Sequence, residues 1–143
     1  MKLASTRVSE SIVGSYDGGG ARKSTTRTSR NTWIKRNTNE LTETLFKRAA
    51  DVLGLDDDIL HTNRNAEDLQ VVHYVKGQKY DSHHDWGVSG YPESRFITML
   101  IYLTDAPSQA SGGETSFPKA RLTERHARGA NGTVGLKVHP KKG

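Results

Sequence analysis

The spacing of apolar residues changes along the chain, from a helical pattern to an extended pattern near residue 69. In residues 39–53 apolar side chains recur every three or four positions, which predicts an amphipathic helix. These positions form a single stripe: Leu41, Leu45, Ala49, Val52 and Leu53. We expect the stripe to pack against a sheet. Thr38 or Asn39 can cap the start of this helix, and Gly54 can end it.

From residue 69 onward, short apolar and β-branched runs alternate with turns, which is typical of strands. The predicted strands are residues 69–75, 80–86, 95–103, 114–117 and 134–138. The third is the most apolar, so it is expected to lie at the centre of a sheet. Residues 21–36 allow another strand, in which Arg27 and Ser29 share a face. One helix followed by short strands predicts an α+β fold, a helix-backed antiparallel sandwich or barrel, as one domain over residues 1–143.

The composition limits the function classes that fit the chain. It has no cysteine, which excludes disulfides and thiolate metal sites, and it has no apolar run long enough to cross a membrane. Residues 1–36 carry a net charge of +6, whereas the rest of the chain carries −1. A basic segment of this kind can bind nucleic acid, but a solvated basic face is the commoner explanation.

Residues 80–86 contain the most informative pattern, His83-x-Asp85. Side chains two residues apart in a strand leave the same face, so the imidazole and the carboxylate can converge on one point. These are two of the three ligands in the facial triad of a histidine pair and a carboxylate, which holds Fe(II) with open positions. Taken alone, the pattern also fits a solvated polar strand end.

Four ordered motifs resemble the catalytic domain of prolyl 4-hydroxylases, which are Fe(II)- and 2-oxoglutarate-dependent dioxygenases. The motifs are LQVVHYVKGQKYDSHHD (69–85), RFITMLIYLTD (95–105), GGETSFP (112–118) and LKVHPKKG (136–143). With Arg27 and Ser29 included, the resemblance covers roughly residues 22–143. It implies a double-stranded β-helix, or jelly roll, which agrees with the predicted order of strands.

The resemblance also implies roles for individual residues. His83 and Asp85 match the first two iron ligands, and Tyr74 and Thr115 match positions beside 2-oxoglutarate. Tyr80, which matches a tyrosine in the peptide groove near the iron, and Arg95, on the substrate side, are predicted as catalytic residues. Residues predicted to bind substrate line the peptide groove: Arg27, Ser29 and Glu67. Without the resemblance, the two tyrosines are as typical of a protein core as of a binding site. The charged residues are then more typical of an exposed rim.

The activity implied is hydroxylation of peptidyl proline to 4-hydroxyproline, of the procollagen-proline 4-dioxygenase type. It is coupled to oxidative decarboxylation of 2-oxoglutarate to succinate and CO2. The cofactors implied are Fe(II), 2-oxoglutarate as co-substrate, and L-ascorbate, which keeps the iron reduced. The expected partner is a proline-rich or collagen-like peptide, with no nucleic acid and no membrane segment, and the family suggests the endoplasmic reticulum as compartment.

The sequence departs from the family after its last motif. No histidine matches the distal iron ligand, and no residue matches the basic group that binds the far carboxylate of 2-oxoglutarate. The chain is therefore expected to be a partial dioxygenase domain, an incomplete jelly roll with little or no activity of its own. Two alternatives remain open: an inactive module that binds proline-rich peptides, and a nucleic-acid binder that uses residues 1–36.

Overall fold

The computed structural model describes residues 8–13, 22–23, 25–61, 65–86, 95–106, 112–120 and 135–143. The chain divides into two compact units, Met1–Asp81 and Ser82–Gly143, hereafter the first and second units. The loops predicted at 14–20 and 87–92, most of that at 106–113, and the polar stretch 121–132 lie outside the described residues.

The first unit is built on a small antiparallel sheet whose strand order is β1–β4–β5. The strands of this sheet are β1 (Ser9–Glu10), β4 (Arg30–Ile34) and β5 (Leu69–His73). The β-branched pair Val71 and Val72 lies opposite Thr32 and Asn31, which matches the preference of such residues for a pleated surface. A separate two-stranded sheet joins β2 (Ile12–Val13) to β3 (Arg22–Lys23).

The predicted helix is confirmed as α1, Glu40–Leu53. The Asn39 side chain accepts from the Thr42 backbone N–H, and the Thr42 hydroxyl accepts from the Asn39 N–H, so both ends of a capping box are satisfied. Gly54 ends the helix at φ 64°, a left-handed conformation that costs glycine little.

The most buried face of α1 lies one residue beyond the predicted stripe, of which Leu45, Ala49 and Leu53 are half-buried. Its buried positions are Thr42, Phe46 and Ala50, whereas Leu41 and Val52 of the predicted stripe are 66% and 77% exposed. The buried face contacts two 3-10 turns, η1 (Arg36–Thr38) and η2 (Asp57–His61), rather than a sheet as its main partner. The shift arises because the Arg36 guanidinium stacks on the Phe46 ring and Thr42 donates to the Arg36 carbonyl.

The second unit contains the antiparallel pair β6 (Thr115–Phe117) and β7 (Leu136–Val138), at positions where strands were predicted. The central strand predicted at 95–103 does not form, because no strand pairs with this segment in the described structure. Burial differs accordingly: Phe96 is 80% exposed and Leu100 is 56% exposed. Among the described residues the sheets have three, two and two strands, and none closes into a barrel. The described residues contain one α-helix and antiparallel strands, which agrees with the predicted α+β class, but they do not form the predicted jelly roll.

In the described parts of the chain, no helix combines the length and the apolar character that crossing a membrane requires.

Candidate functional site

His83 and Asp85 face each other in the second unit. The Nε2 atom of His83 lies 3.3 Å from Oδ1 of Asp85, and the two side chains are 41% and 30% exposed. Two ligand atoms bound at right angles to one ion lie about 3 Å apart when each bond is about 2.1 Å long. The pair therefore fits two neighbouring positions of a metal ion, and its donors, an imidazole nitrogen and a carboxylate oxygen, suit Fe(II).

The Asp85 carboxylate is oriented by a neighbour that the sequence did not reveal. The Thr98 hydroxyl donates to Asp85 Oδ2 at 2.6 Å, which leaves Oδ1 on the side of His83. Hydrogen bonds of this kind fix the orientation of metal ligands and tune their affinity. The only signal was a hydroxyl inside the most apolar segment of the chain, and Thr98 is exposed in the structure.

Arg95 joins the same group. Its backbone N–H donates to the Asp85 carbonyl at 3.1 Å, and its Nη1 lies 3.7 Å from Asp85 Oδ1. The segment that begins at Arg95 is thereby tied to the His83–Asp85 pair, although it is not the strand that the sequence predicted. The structure thus brings together three of the predicted site residues: His83, Asp85 and Arg95.

Thr115 lies at the start of β6, and its partner was also missed. The phenol of Tyr102 donates to Thr115 Oγ1 at 2.8 Å. Since the threonine oxygen accepts this bond, its own proton points elsewhere and can be donated to an anionic acceptor. Alternation along the apolar segment would have placed Tyr102 on the face of Thr98, which was the signal in the sequence.

A second group of predicted residues meets in the first unit. The Arg27 guanidinium carbon lies 4.7 Å from the centre of the Tyr80 ring, and Arg27 Nε donates to Ser29 Oγ at 3.2 Å. Arg27 Nη2 also donates to Gln70 Oε1 at 3.3 Å, a contact across 43 residues that sequence reasoning missed. This cation–π pair and its hydrogen bonds hold both the charge and the ring in place.

The backbone brings Arg27 and Tyr80 together. Residues 26–28 run antiparallel to residues 79–81, with an isolated bridge between Arg27 and Tyr80. The Thr28 N–H donates to the Lys79 carbonyl at 3.0 Å, and the Asp81 N–H donates to the Thr26 carbonyl at 2.8 Å. Sequence patterns could not reveal this pairing, because it joins segments about fifty residues apart.

Tyr74 and Glu67 lie on either side of β5 in the first unit. Tyr74 follows the strand directly and is 45% exposed. Glu67 lies two residues before the strand and is exposed. Both side chains are therefore accessible to a ligand at the ends of β5.

The first unit contains a further cluster of ionisable side chains, Glu43, Asp57 and His61, whose candidate ligand atoms lie within 4.8 Å of one another. The buried Arg36 binds both carboxylates, at 2.9 Å from Glu43 and 2.8 Å from Asp57. Hydrogen bonding to Arg36 is the main cause that holds the pKa of each carboxyl below its usual range, and it raises the pKa of Arg36. Because Arg36 already compensates these charges, the cluster is an ion-pair network that ties α1 to η1 and η2.

Comparison with known proteins gives a consistent family. Residues 69–143 match the model of the 2OG-Fe(II) oxygenase superfamily. The chain is 34% identical over 152 residues to Probable prolyl 4-hydroxylase 3 of Arabidopsis thaliana, covering 100% of this chain and 50% of that protein. It is 34% identical over 151 residues to Prolyl 4-hydroxylase 5 of the same plant, covering 99% and 49% respectively.

A third relative, Prolyl 4-hydroxylase 2 of Arabidopsis thaliana, is 32% identical over 158 residues and is covered to 48% of its length. The chain therefore spans about half the length of the curated relatives it matches. The resemblance to prolyl 4-hydroxylases that the motifs predicted is confirmed.

Proposed function

Because the chain belongs to the 2OG-Fe(II) oxygenase superfamily, we propose that it hydroxylates peptidyl proline to 4-hydroxyproline. The proposed fold of the catalytic domain is a jelly roll. The superfamily implies Fe(II) and 2-oxoglutarate. The observation that carries the proposal is the His83–Asp85 pair, with ligand atoms 3.3 Å apart and the carboxylate oriented by Thr98.

His83 Nε2 and Asp85 Oδ1 would hold the iron. When bound, the iron and 2-oxoglutarate supply the oxidising chemistry, in which 2-oxoglutarate is decarboxylated to succinate. The hydrogen bond from Thr98 occupies Asp85 Oδ2, so Oδ1 is the oxygen that would face the metal ion. The Arg95 guanidinium beside Asp85 is proposed to contact the substrate and to limit the negative charge at the site.

Thr115 and Tyr74 are proposed to bind the co-substrate. An ionised carboxylate only accepts hydrogen bonds, so it needs donors on the protein. The Thr115 hydroxyl is suited to this role because Tyr102 already fills one of its acceptor positions. The phenol of Tyr74, in the first unit, is 45% exposed and can also donate a hydrogen bond.

A proline-rich or collagen-like peptide is the proposed substrate. Extended proline-rich segments dock into grooves lined by aromatic side chains, because their conformation is already fixed. The Tyr80 ring, backed by the Arg27 guanidinium at 4.7 Å, offers such a surface, with Ser29 beside it. Glu67, exposed before β5, is proposed as a further contact in the same groove.

Succinate release from 2-oxoglutarate tests the enzymatic proposal. In the described parts of the chain, no third His, Asp or Glu joins His83 and Asp85 in a metal-binding cluster. We therefore expect slow turnover by the 143-residue chain with Fe(II), L-ascorbate and a proline-rich peptide, and none after His83→Ala. Omitting ascorbate should shorten the period of turnover. Succinate formation that is unchanged by His83→Ala would contradict the proposal.

A second candidate function is a peptide-binding module without iron chemistry. It is favoured by the Arg27–Tyr80 contact, which forms wholly within the first unit. Calorimetric titration separates the two functions. If the chain is a binding module, wild type and His83→Ala bind a proline-rich peptide with equal affinity, and both bind Fe(II) equally weakly. If the chain is an enzyme, His83→Ala loses the Fe(II) binding that wild type shows.

A further inference from the structure

A series of hydrogen bonds connects Arg27 to a buried serine, Ser11, which belongs to none of the sequence motifs. Ser11 Oγ lies 2.9 Å from Ser29 Oγ, and Ser29 Oγ accepts from Arg27 Nε at 3.2 Å. Ser11 and Ser29 are 3% and 1% exposed, so water does not replace either hydroxyl as a partner. The Ser11 N–H also donates to the Ser29 carbonyl at 2.9 Å, which holds the two serines against each other.

The Ser11 hydroxyl is the last member of this series of hydrogen bonds. A serine hydroxyl has one proton and two acceptor positions. Ser29 uses one acceptor position for Arg27, and Ser11 fills one of the two positions that remain, whichever serine donates. Without the Ser11 hydroxyl, Ser29 would lose a buried hydrogen-bond partner, and its hydroxyl would be less firmly held towards Arg27.

The arginine side chain needs such support. A long side chain loses considerable rotamer freedom when it is fixed, and a ligand that must fix it on binding loses affinity. Arg27 is held at Nε by Ser29 and at Nη2 by Gln70, with its guanidinium carbon over the Tyr80 ring. Two hydrogen bonds and one ring contact therefore define the position of the guanidinium before any ligand arrives.

We propose that Ser11 is a positioning residue for peptide recognition, which acts through Ser29 to fix the Arg27 guanidinium over Tyr80. The inference rests on the proposed role of Arg27 and Tyr80 in the peptide groove. The ligand is a proline-rich peptide, which packs on the Tyr80 ring and offers its backbone carbonyls to arginine donors. Ser11 itself is closed to the ligand, because it is 3% exposed.

Calorimetric titration of the 143-residue chain with a short poly-L-proline peptide tests the proposal. Ser11→Ala removes only the hydroxyl group and should weaken binding roughly two- to tenfold, the effect of one hydrogen bond. In the background of Arg27→Ala, the same substitution should change affinity less than twofold, because the residue through which Ser11 acts is gone. Equal weakening in both backgrounds would overturn the proposal.

Thr42→Ala is the matched control. It also removes a buried hydroxyl from the first unit, at a helix cap away from Arg27, and it should lower stability without changing peptide affinity. If Thr42→Ala weakens the peptide as much as Ser11→Ala does, Ser11 acts only through general stability and the proposal fails.

A spectroscopic measurement separates this proposal from the proposed function. The Nε–H of a hydrogen-bonded arginine exchanges slowly with water and gives a resolved ¹H–¹⁵N signal. The Arg27 signal should be visible in wild type and in Thr42→Ala, and should be lost or broadened in Ser11→Ala. An unchanged signal in Ser11→Ala overturns the positioning role. Absence of peptide binding by wild type overturns the proposed function and the role in recognition, while the signal still decides whether Ser11 orders Arg27.

Discussion

The two groups of candidate site residues are held in different ways. Arg27 in the first unit is fixed by buried hydroxyls, by an amide and by paired backbone segments. His83 and Asp85 in the second unit lie outside any strand, and their side chains are 41% and 30% exposed. The protein itself thus orders the proposed peptide groove, whereas a bound ion would supply much of the order at the proposed metal centre.

Removing a metal ligand is expected to have the largest effect, and it should change Fe(II) binding at the His83–Asp85 pair without changing the Arg27–Tyr80 group. His83→Ala should weaken binding of Fe(II), measured by anaerobic calorimetry, by at least about a hundredfold, since it removes one of two ligands outright. His84→Ala is the control and should bind the ion as wild type does. Wild-type Fe(II) affinity in His83→Ala would show that the metal centre is elsewhere, and equal loss in both variants would show that the effect is not specific to His83.

Truncating the core of the first unit is the next largest change. Phe46 is 7% exposed under the Arg36 guanidinium, so Phe46→Ala should lower the free energy of unfolding of this unit by about 3 kcal/mol. Urea unfolding followed by circular dichroism measures the loss. Leu41→Ala, at a 66% exposed position of the same helix, should cost far less. If the two costs are alike, the helix buries the face that its apolar stripe predicts.

Loss of the Thr98 hydroxyl should have a smaller effect on the metal centre. Thr98→Val removes the hydrogen bond to Asp85 Oδ2 and should weaken Fe(II) affinity about tenfold, the lower end for groups that orient a ligand. Thr104→Val, the same change at an exposed position of the second unit, is the control. Unaltered affinity in Thr98→Val would mean that the carboxylate keeps its orientation without this bond.

Acid should act selectively on the ion-pair network of the first unit. The pKa values of Glu43 and Asp57 are lowered in the folded protein, mainly by hydrogen bonds from Arg36, so both carboxylates stabilise the fold above their ordinary pKa. This contribution is lost as the pH falls through the lowered values, below about pH 4. The urea midpoint of Asp57→Asn should therefore lie below that of wild type at pH 7 and approach it at low pH.

The neighbouring Asp58 gives the control for this pH dependence. It is exposed, and Arg36 bonds Asp57 rather than Asp58, so Asp58→Asn should leave the midpoint nearly unchanged at both pH values. A difference between Asp57→Asn and wild type that persists at low pH would show that the Asp57 charge does not stabilise the unit.

Local features of the fold could be predicted from the sequence, and distant contacts could not. The caps of α1 and the positions of the strands β5, β6 and β7 follow from signals within a few residues, whereas the pairing of β6 with β7 was not predicted. The buried face of α1 was missed because Arg36, a charged residue from outside the helix, stacks on Phe46. The segment 95–103 has the composition of a central strand, but composition does not supply the neighbours that a central strand needs.

The candidate site shows the same limit. His83 and Asp85 were found from their spacing and the surrounding motifs, although the strand predicted at 80–86 does not form beyond an isolated bridge at Tyr80. Ser11, Gln70 and Thr98 hold site residues in place from 13 to 43 positions away. Each is an ordinary polar residue in its own segment, so only the folded structure identifies its partner.

The apolar segment after Arg95 has a consequence for handling the protein. Residues 96–103 form a run of eight residues with no charge, proline or glycine, and Phe96, Ile97 and Leu100 are each more than half exposed. Such a run has the composition of segments that stack into intermolecular β-structure. Colloidal stability, rather than folding alone, will therefore limit the concentration at which the chain can be studied, and a charged side chain at the exposed Phe96 is a direct way to raise it.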